Sequence, residues 1–319
     1  MKILVTGGAG FIGSNVVDGY VNAGHEVLVA DNLSSGRRSN LNPGAKFHQL
    51  DIREQGIVEL IKKERPDIMN HHAAQISVPA SVSNPILDAG INIMGLLNLL
   101  ESAVKYKVKK VIFISSGGAI YGEASEYPTS ENYIPRPLSP YAVAKYTSEH
   151  YLAYYNHQYG LDYTTLRYAN VYGPRQIPNG EAGVVAIFMD NLIKRKRSTL
   201  YRFNDNTEGM IRDYCYVGDV VKANLAALEK GSRDFFNIGT SRATRTANLF
   251  RIIFETFKEI KPDILQEMGI LLMQEARAGD LSKSCLVVEK ACRLLGWVPE
   301  ISLEEGIRKT LKWRLNREG

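Results

Sequence analysis

Short apolar runs alternate with longer amphipathic stretches through the first half of the chain. Each run is closed by turn-forming or polar residues and is typical of a buried strand in a parallel sheet. The runs occupy 3–5, 27–30, 46–50, 67–70, 111–115 and 163–168. Apolar residues at helical spacing lie between them and predict helices over 11–21, 55–64, 86–106 and 141–159. Strands and helices that alternate through short links predict an α/β fold, a doubly wound parallel sheet with helices on both faces.

The pattern loosens after residue 168, where a second region is expected. A helix is predicted over 184–196, a strand over 235–238, and a mostly helical tail from 249 with a break at 297–299. We therefore expect a nucleotide-binding domain over 1–170, with returning segments near 213–244. A smaller C-terminal substrate-binding lobe would comprise 171–212 and 245–319.

Composition excludes several classes of protein. Of the 319 residues, 45% are hydrophobic and 23% are charged, which argues against a disordered chain, a collagen-like repeat and a coiled coil. The net charge of +5 is spread along the chain. The one dense basic run, 194–197, closes a predicted helix whose C-terminal dipole favours cations, so no nucleic-acid partner is expected.

Cysteine usage and hydropathy indicate the compartment. Cys215, Cys285 and Cys292 make an odd number without paired spacing, which is typical of a reducing compartment and predicts a cytoplasmic protein. No uninterrupted run of 18 apolar residues exists, so no membrane span is predicted. A strand pattern starts at Lys2 and runs into a glycine turn, so the first residues are expected to belong to the fold rather than to a signal peptide.

A glycine-rich turn follows the first predicted strand. Gly8, Gly10 and Gly13 form a G-x-G-x-x-G at the mouth of a helix, where glycines allow a tight turn and close approach of a pyrophosphate. Asp31 ends the second strand at the distance expected for a ribose 2′-hydroxyl contact, which favours NAD over NADP. Nearby Arg37 and Arg38 leave NADP open, and a plain turn capped by Asp31 is the structural alternative.

A second pattern predicts catalysis at the carboxyl ends of the strands. Tyr141 and Lys145 stand one helical turn apart after a Ser-Pro helix start, and Ser116 ends a strand. To act as a base near neutrality, a phenol of pKa ~10 must lose roughly three units, and a neighbouring ammonium and a nicotinamide ring both favour that loss. Tyr106 and Lys110 share the spacing, but their lysine precedes a strand, so that pair is expected at the surface.

Together these segments resemble a known family, the extended short-chain dehydrogenase/reductases, and within it the nucleotide-sugar 4-epimerases of the UDP-glucose 4-epimerase type. The resemblance covers nearly the whole chain. It rests on Gly7–Gly13, Asp31–Leu33, His71–Gln75, Ser115–Ser116, Tyr141 with Lys145, Leu166–Pro174, Arg212–Tyr214, Phe236–Thr240 and Leu295–Pro299. It implies a Rossmann-like fold, bound NAD and a UDP-sugar substrate.

The resemblance also implies roles for individual residues. Ser116, Tyr141 and Lys145 would be catalytic. The cofactor would be bound by Gly7, Gly10, Phe11, Ile12, Gly13, Asp31, Asn32, Ser35, Gly36, Asp51, Ile52, Ala73, Ala74, Gln75, Asn92, Tyr141 and Lys145. The substrate would be bound by Ser116, Tyr141, Asn170, Arg212, Arg277, Asp280 and Ser284. For Arg212 and Arg277, surface ion pairing is the alternative.

The residues after Ser116 distinguish the relatives. Dehydratases and decarboxylases of this family carry acids there, because elimination needs an acid and a base. Gly117 and Gly118 offer neither, and Glu123 and Glu126 come later. We therefore predict an isomerase that interconverts UDP-glucose and UDP-galactose through a 4-keto sugar. Epimerases specific for UDP-glucuronate or UDP-N-acetylglucosamine remain alternatives, and a non-catalytic NAD-sensing regulator is the rival from another class.

Four smaller expectations complete the sequence-based account. Ser284 is small where a bulky residue would exclude a 2-acetamido group, so UDP-N-acetylglucosamine is expected as a further substrate. Adjacent His71 and His72 are expected on opposite faces of a strand, so no metal site is predicted. The loop 203–209 lacks the compact turn usual in the family, so its nucleotide contacts are in doubt. The family commonly dimerises through helices matching 86–106 and 141–159, which predicts a homodimer.

Overall fold

The computed structural model describes residues 1–178, 183–204, 206–276 and 281–318. The strands are β1 Lys2–Thr6, β2 Glu26–Asp31, β3 Lys46–Gln49, β4 Ile68–His71, β5 Lys110–Ser116, β6 Asp162–Tyr168, β7 Asn170–Tyr172, β8 Thr199–Arg202, β9 Ile211–Tyr216, β10 Asp234–Ile238, β11 Ala243–Arg245 and β12 Leu272–Glu275. The α-helices are α1 Phe11–Asn22, α2 Gln55–Glu64, α3 Val78–Ser83, α4 Pro85–Ala89, α5 Gly95–Lys105, α6 Pro140–Tyr159, α7 Val184–Ile193, α8 Val217–Ala227, α9 Thr246–Ile260, α10 Glu289–Leu295 and α11 Leu303–Glu318.

A seven-stranded parallel sheet forms the centre of the protein. Its strand order is β10-β6-β5-β4-β1-β2-β3, and every neighbouring pair runs parallel. The chain winds outward in one direction from β1 to β3 and in the other from β4 onward, so the predicted doubly wound parallel sheet is confirmed. In such sheets a crevice opens beside the first strand, where the winding reverses, and ligands bind at its carboxyl edge.

Apolar side chains bury both faces of this sheet. One cluster joins the sheet to α1, α8 and α10, and a second joins it to α2, α5 and α6. Ile3, Leu4 and Phe236 have no exposed surface, and each such burial contributes about 1.5–3 kcal/mol. The carboxyl edge of the sheet is thereby held rigidly by helices on two sides.

The remaining elements form a smaller region beside the sheet. It contains a three-stranded sheet in the order β11-β9-β7, a two-stranded sheet of β12 and β8, and a core between α7, α9 and α11. The Phe188 and Phe250 rings, from α7 and α9, pack edge to face with centroids 5.0 Å apart. This region faces the carboxyl edge of the main sheet.

The helix predicted over 86–106 differs in detail from the structure. It consists of α4, a π-helical turn at Gly90–Met94, and α5. Asn84 caps its start by accepting a hydrogen bond from the backbone N–H of Leu87 at 3.0 Å. The π turn places Asn92 in a buried position, and such turns frequently occur at functional sites.

The same segment is apolar enough to resemble a membrane span. Pro85–Lys105 spans 21 residues, and an 18-residue stretch within it has a mean hydropathy of 1.2, although 44% of that stretch is buried in the protein. Core helices of globular proteins pass the same test, so length and composition alone are weak evidence for a span.

Two predictions for the second half were wrong in detail. Helix α7 ends at Ile193, because Lys194 leaves helical geometry and Arg195 adopts a left-handed conformation with φ of 51°. The basic run 194–197 therefore lies beyond the helix instead of closing it. The tail also contains the strand β12, which the local pattern could not reveal because its partner β8 is distant in sequence.

Candidate functional site

Two cavities meet above the carboxyl edge of the main sheet. The inner cavity has a volume of about 600 Å³ and extends from the glycine turn to Tyr141. The outer cavity, of about 550 Å³, extends from Tyr141 into the smaller region. Ser116, Tyr141 and Asn170 line both. These three predicted residues therefore lie at the junction of the two cavities.

Steric contacts require glycine in the turn after β1. Gly7 has a φ of +70°, and a Cβ there would lie 2.6 Å from the Ala73 nitrogen. A Cβ on Gly13 would lie 2.3 Å from the Gly7 carbonyl oxygen. Gly10 is the N-cap residue just before α1 and has no side chain to cap it, so the helix presents unpartnered backbone N–H groups at its start. This turn can accept a phosphate because donors and partial positive charge converge there.

Asp31 combines the two roles that the sequence offered as alternatives. Its oxygens accept from the backbone N–H of Ala9 at 3.0 Å and of Leu33 at 2.8 Å, so it caps the loop. The residue also lines the inner cavity. Gly36 is absent from the lining, and a Cβ there would approach Asp31 Oδ1 to 2.8 Å. Gly36 thus leaves space for the carboxylate.

A second carboxylate, Asp51, lies further along the inner cavity. Arg53 Nη2 and Asn32 Nδ2 donate to its Oδ2 at 2.8 and 3.0 Å. These bonds hold the pKa of Asp51 well below its usual range, and the largest effect comes from the Arg53 side chain. Most of the predicted cofactor residues line this cavity: Gly7, Gly10, Phe11, Ile12, Gly13, Asp31, Asn32, Ser35, Asp51, Ile52, Ala73, Ala74, Gln75, Tyr141 and Lys145.

Asn92 does not line the cavity, in contrast to the prediction. Its Oδ1 accepts from the Gln75 backbone N–H, and its Nδ2 donates to the Gln75 carbonyl, both at 3.0 Å. The π turn buries this amide behind the cavity wall. Asn92 therefore fixes the segment that contains Gln75 rather than facing the cavity itself.

The catalytic candidates are positioned by the start of α6. Ser139 caps the helix by accepting from the Ala142 N–H at 3.2 Å, and Pro140 occupies its first position. Lys145, one turn after Tyr141, is only 5% exposed, and its Nζ donates to the Ile114 carbonyl at 2.9 Å. The Nζ also lies 6.0 Å from the centroid of the Tyr141 ring.

Burial shifts the pKa values of this pair in opposite directions. It raises the pKa of Tyr141 to about 12, although a hydrogen bond with Ser116 acts to lower it. It lowers the pKa of Lys145 to about 8. The predicted lowering of the phenol pKa is therefore not achieved by the chain alone, because loss of solvation outweighs the favourable contacts.

The second tyrosine–lysine pair was wrongly predicted to lie at the surface. Tyr106 and Lys110 are both buried, and Lys110 Nζ donates to the Lys230 carbonyl at 2.6 Å. Lys110 begins β5, whereas Ser116 ends it, so this pair lies at the opposite edge of the sheet from both cavities. Its role is packing at that edge.

Besides Ser116 and Tyr141, two further residues predicted to bind substrate, Asn170 and Arg212, line the outer cavity. The side-chain nitrogen of Asn170 is buried and has no hydrogen-bond partner. Arg212 lines the cavity and donates to the carbonyls of Ile211 and Leu281 at 2.9 and 2.7 Å. Arg277 and Asp280 lie outside the described residues.

Ser284 does not line either cavity, in contrast to the prediction. Its backbone N–H donates to the Ile211 carbonyl at 2.9 Å, as the segment 281–286 runs beside β9. Leu281 lines the outer cavity instead. The position relative to Asp280 in sequence therefore did not identify the residue at the cavity wall.

Sequence reasoning missed several lining residues. Ser115 lines the inner cavity, and its buried Oγ has no hydrogen-bond partner. The position next to Ser116 at the end of a strand was the available signal. Tyr201 and Met210 line the outer cavity on either side of the loop 203–209. Asp205 of this loop is not among the described residues. Their role depends on tertiary contacts that no local motif marks.

The two adjacent histidines are held separately. His71 shares a hydrogen bond of 2.7 Å with the Thr6 hydroxyl, and the His72 ring lies 6.5 Å from that of Tyr168. Burial lowers the pKa of His72 to about 3. Among the described residues, no group of three or more histidine, cysteine, aspartate or glutamate side chains could hold a metal ion.

Comparison with known proteins identifies the family. Residues 3–239 match a family described as the NAD dependent epimerase/dehydratase family. This chain is a member of that family. The membership confirms the resemblance predicted from the motifs and the dependence on NAD.

Similar members of the epimerase/dehydratase family share nearly the full length. A crystal structure of the UDP-glucose 4-epimerase of Thermotoga maritima with UDP-glucose is 48% identical, covers 100% of both chains and has a TM-score of 0.93. The Thermus thermophilus UDP-glucose 4-epimerase in complex with NAD is 43% identical, covers 98% of this chain and 99% of its own, and has a TM-score of 0.89. The UDP-glucose 4-epimerase of Mycolicibacterium smegmatis is 41% identical and covers 99% of both chains.

The inner cavity fits the cofactor of the epimerase/dehydratase family. Gly7 and Gly13 leave a space that any Cβ would fill, and the orphaned Ser115 Oγ offers a polar partner. The two arginines that left NADP open do not line this cavity: Arg38 donates to Gln49 at 2.8 Å, and neither Arg37 nor Arg38 is among the described lining residues. This arrangement fits NAD, because no arginine faces the site beside Asp31 where a 2′-phosphate would lie.

Proposed function

We propose that this chain is a UDP-glucose 4-epimerase, an isomerase that interconverts UDP-glucose and UDP-galactose with tightly bound NAD. The observation that supports this most strongly is the junction of the two cavities. Ser116 and Tyr141 line both cavities, and Lys145 is buried beside Tyr141. A sugar in the outer cavity would therefore meet a proton acceptor and the dinucleotide cavity at one point.

The catalytic residues move a proton at the sugar 4-hydroxyl. Tyr141 Oη accepts that proton as the 4-keto sugar forms and returns it when the hydroxyl is restored. Interaction with Ser116 acts to lower the pKa of the phenol, and the Lys145 Nζ lies 6.0 Å from the centroid of the phenol ring. When bound in the inner cavity, NAD would supply an acceptor and donor for the hydride of carbon 4. Burial raises the pKa of Tyr141 to about 12, so the positive charge of an oxidised nicotinamide ring would be needed to lower it further.

The loop after Ser116 supports epimerisation over dehydration. Gly117 and Gly118 carry no proton-transferring group. Glu123 accepts from the Ser282 backbone and hydroxyl at 2.7 and 2.8 Å, and Glu126 accepts from the Ser130 N–H. Neither glutamate lines the outer cavity. The 4-keto sugar would thus rotate in the cavity and regain its hydrogen on the opposite face of carbon 4.

The charge of the outer cavity supports a neutral hexose. Arg212 is the one cationic side chain among its described lining residues, together with the uncharged amide of Asn170. An arginine suits a diphosphate, because its donors match phosphate oxygens. A UDP-glucuronate carboxylate would need another cation near Tyr141. Acceptance of N-acetylhexosamines remains a prediction that the assay below resolves.

We infer that the binding functions divide along the chain. Residues 1–170, with returning segments near 213–244, would bind NAD, whereas 171–212 and 245–319 would bind the nucleotide sugar. The entry of β10 into the main sheet and the packing of α8 against α1 support the returning segments. Strand β9, which carries Arg212, belongs to the three-stranded sheet of the smaller region.

We further infer a cytoplasmic homodimer. Exposed apolar side chains of α4, the π turn and α6 support the dimer, notably Ile86, Met94 and Tyr154. Tyr155 donates to Glu101, which joins α6 to α5, so their outer surfaces are continuous. The cytoplasmic location is supported by three unpaired cysteines, of which Cys215 and Cys285 are buried.

Product analysis tests the proposed activity. The purified protein is incubated without added cofactor with UDP-galactose, UDP-N-acetylgalactosamine or UDP-galacturonate, and the products are separated by chromatography. UDP-galactose should give UDP-glucose, because NAD is regenerated within each turnover. Turnover of UDP-galacturonate alone would assign the glucuronate specificity, and no conversion of any of the three would reject the proposal.

A further inference from the structure

Asp88 is a buried carboxylate behind the catalytic pair that the proposed mechanism does not use. It lies on α4, is 1% exposed, and faces the interior between α4 and α6. Gln75 Nε2 and Asn92 Nδ2 donate to its Oδ1 at 2.8 and 2.9 Å. Its Oδ2 is buried without a hydrogen-bond partner. A carboxylate oxygen left in this state needs an explanation, because burial without a partner is costly.

We propose that Asp88 is a positioning residue of the catalytic site, which keeps Lys145 charged and holds the Gln75 segment of the cavity wall. This inference deepens the proposed function and rests on it. The two oxygens divide these tasks. Oδ1 fixes Gln75 and Asn92, whereas no donor contacts Oδ2, and burial raises the pKa of Asp88 above its usual range.

The electrostatic part follows from the groups around Lys145. Its Nζ contacts the Ile114 carbonyl, and the rings of Phe113 and Tyr141 lie beside it. Asp88 of α4 and Glu149 of α6 both act to raise the pKa of Lys145 against the effect of burial.

The other ionisable neighbours of Lys145 either carry no negative charge or are already paired with a cation. His71 and His72, at the end of β4, interact with Lys145 but have pKa values well below neutrality. Glu149 is already bound by Arg167 of β6, with Nε to Oε1 at 3.0 Å. Asp88 is therefore the nearby carboxylate without a cationic hydrogen-bond donor.

The second consequence concerns Tyr141. The Asp88 charge also raises the pKa of Tyr141. Removal of that charge should therefore lower both pKa values, and both limbs of a bell-shaped pH profile should move to lower pH. A residue with a purely structural role would change stability or KM without moving these limbs.

Titration of Lys145 tests the inference without relying on turnover. The full-length protein with its bound cofactor is labelled with [¹³Cε]lysine, and the Lys145 signal is assigned with Lys145→Met. Asp88→Asn, which keeps an oxygen acceptor for the two amides, should lower the pKa of Lys145 by roughly half a unit or more. Asp88→Glu should restore it towards the wild-type value. An unchanged Lys145 titration in Asp88→Asn would overturn the inference.

Asp219 provides a matched control. It is also fully buried; its Oδ1 has no hydrogen-bond partner but lies 3.8 Å from Lys222 Nζ, and its Oδ2 accepts from the Glu300 and Ile301 backbones. It does not act on Lys145 or Tyr141, so Asp219→Asn should leave the Lys145 titration unchanged. A shift equal to that of Asp88→Asn would contradict a specific role for Asp88.

Two further measurements keep the outcomes distinct. If Asp88→Asn does not fold, Asp88→Ser offers a smaller neutral side chain with an acceptor, and the same lowering is expected. If UDP-galactose is not converted by the wild-type protein but Lys145 responds to Asp88, the proposed function fails while the charge relation stands. If the enzyme is active and Lys145 does not respond, the inference about Asp88 alone fails.

Discussion

At the scale of single residues, Tyr141 and Lys145 are buried in surroundings that disfavour the charged form of both side chains. Burial raises the pKa of Tyr141 to about 12 and lowers that of Lys145 to about 8. In the chain alone the proton therefore remains on the phenol. If Tyr141 is the base that we propose, additional positive charge beside it, such as that of an oxidised dinucleotide, is needed to lower its pKa.

Substitution of the phenol separates catalysis from binding. Tyr141→Phe should reduce kcat by about 10²–10⁴-fold, because it removes only the proton acceptor, while bound NAD is retained. Turnover of UDP-galactose and the nucleotide released on denaturation measure the two effects. Tyr163→Phe, in β6 and outside both cavities, is the control. Normal activity of Tyr141→Phe would contradict the assigned role. A protein that shows no turnover and behaves identically with either side chain would instead fit an NAD-sensing regulator and would also contradict it.

Gly13 is a position at which the close approach of the backbone permits only glycine. Its missing Cβ would lie 2.3 Å from the Gly7 carbonyl oxygen, so Gly13→Ala must displace the glycine turn. We expect loss of most bound NAD, measured as nucleotide content per protein. At Gly90 a Cβ meets nothing within 4 Å, so Gly90→Ala should retain the cofactor and be equally or more stable. Full NAD content in Gly13→Ala would show that this close approach is not required.

At the scale of elements, a buried ion pair fixes α6, the helix that carries Tyr141 and Lys145, to the main sheet. Arg167 of β6 binds Glu149 of α6 through Nε and Nη2, and its Nη1 donates to the Tyr121 hydroxyl at 2.8 Å. Glu149 lies one turn after Lys145. The pair thus sets the orientation of α6 relative to the strand that ends near Asn170.

Loss of one partner should destabilise the protein strongly. Arg167→Met leaves Glu149 buried without its cation, which should cost about 3–5 kcal/mol of unfolding free energy. The double variant Arg167→Met, Glu149→Leu should recover most of this loss, because both charges are removed. Urea unfolding of the two variants and the wild type measures the difference. A double variant that is less stable than Arg167→Met would contradict this account.

Elements with strong local signals were predictable from the sequence. The glycine turn, Asp31, and the spacing of Tyr141 and Lys145 each depend on neighbouring residues, and the structure brings them to one edge of the sheet. The failures depend on distant contacts. The strand β12 needs β8, the burial of Lys110 needs the Lys230 carbonyl, and the π turn serves the buried contacts of Asn92.

The wall of the outer cavity illustrates the same limit within the site. Ser284 was selected by its distance from Asp280 in sequence, yet Leu281 lines the cavity. Which side chain faces a cavity depends on how a loop crosses a neighbouring strand. Here the segment runs beside β9, with Lys283 bridged to Ile211. No local periodicity specifies that crossing.

At the scale of the whole molecule, exposed apolar side chains on α4, the π turn and α6 form the surface through which we propose that two copies associate. Ile86 is 85% exposed and Met94 60% exposed, which is unusual for large apolar side chains grouped on adjacent helices. An interface between two copies would bury them. It would also brace the helices that carry Asp88, Tyr141 and Lys145.

Charge introduced on this surface should dissociate the dimer. Ile86→Glu combined with Met94→Glu should give a monomer in size-exclusion chromatography with light scattering, because the interface would bury unpaired carboxylates. Ile134→Glu changes an equally exposed apolar residue outside these helices and should leave the dimer intact. A wild-type protein that is monomeric at micromolar concentration would reject the dimer.

The hydrogen on carbon 4 provides the most direct test of the central claim that Tyr141 acts beside a bound dinucleotide at the junction of two cavities. UDP-galactose deuterated at carbon 4 is incubated with the protein in ordinary water, and the UDP-glucose formed is analysed by mass spectrometry and NMR. We expect the deuterium to be retained at carbon 4, because the hydrogen is held within the closed site and returned to the other face. Exchange of that deuterium with solvent, or product formed at the same rate by Tyr141→Phe, would contradict the account.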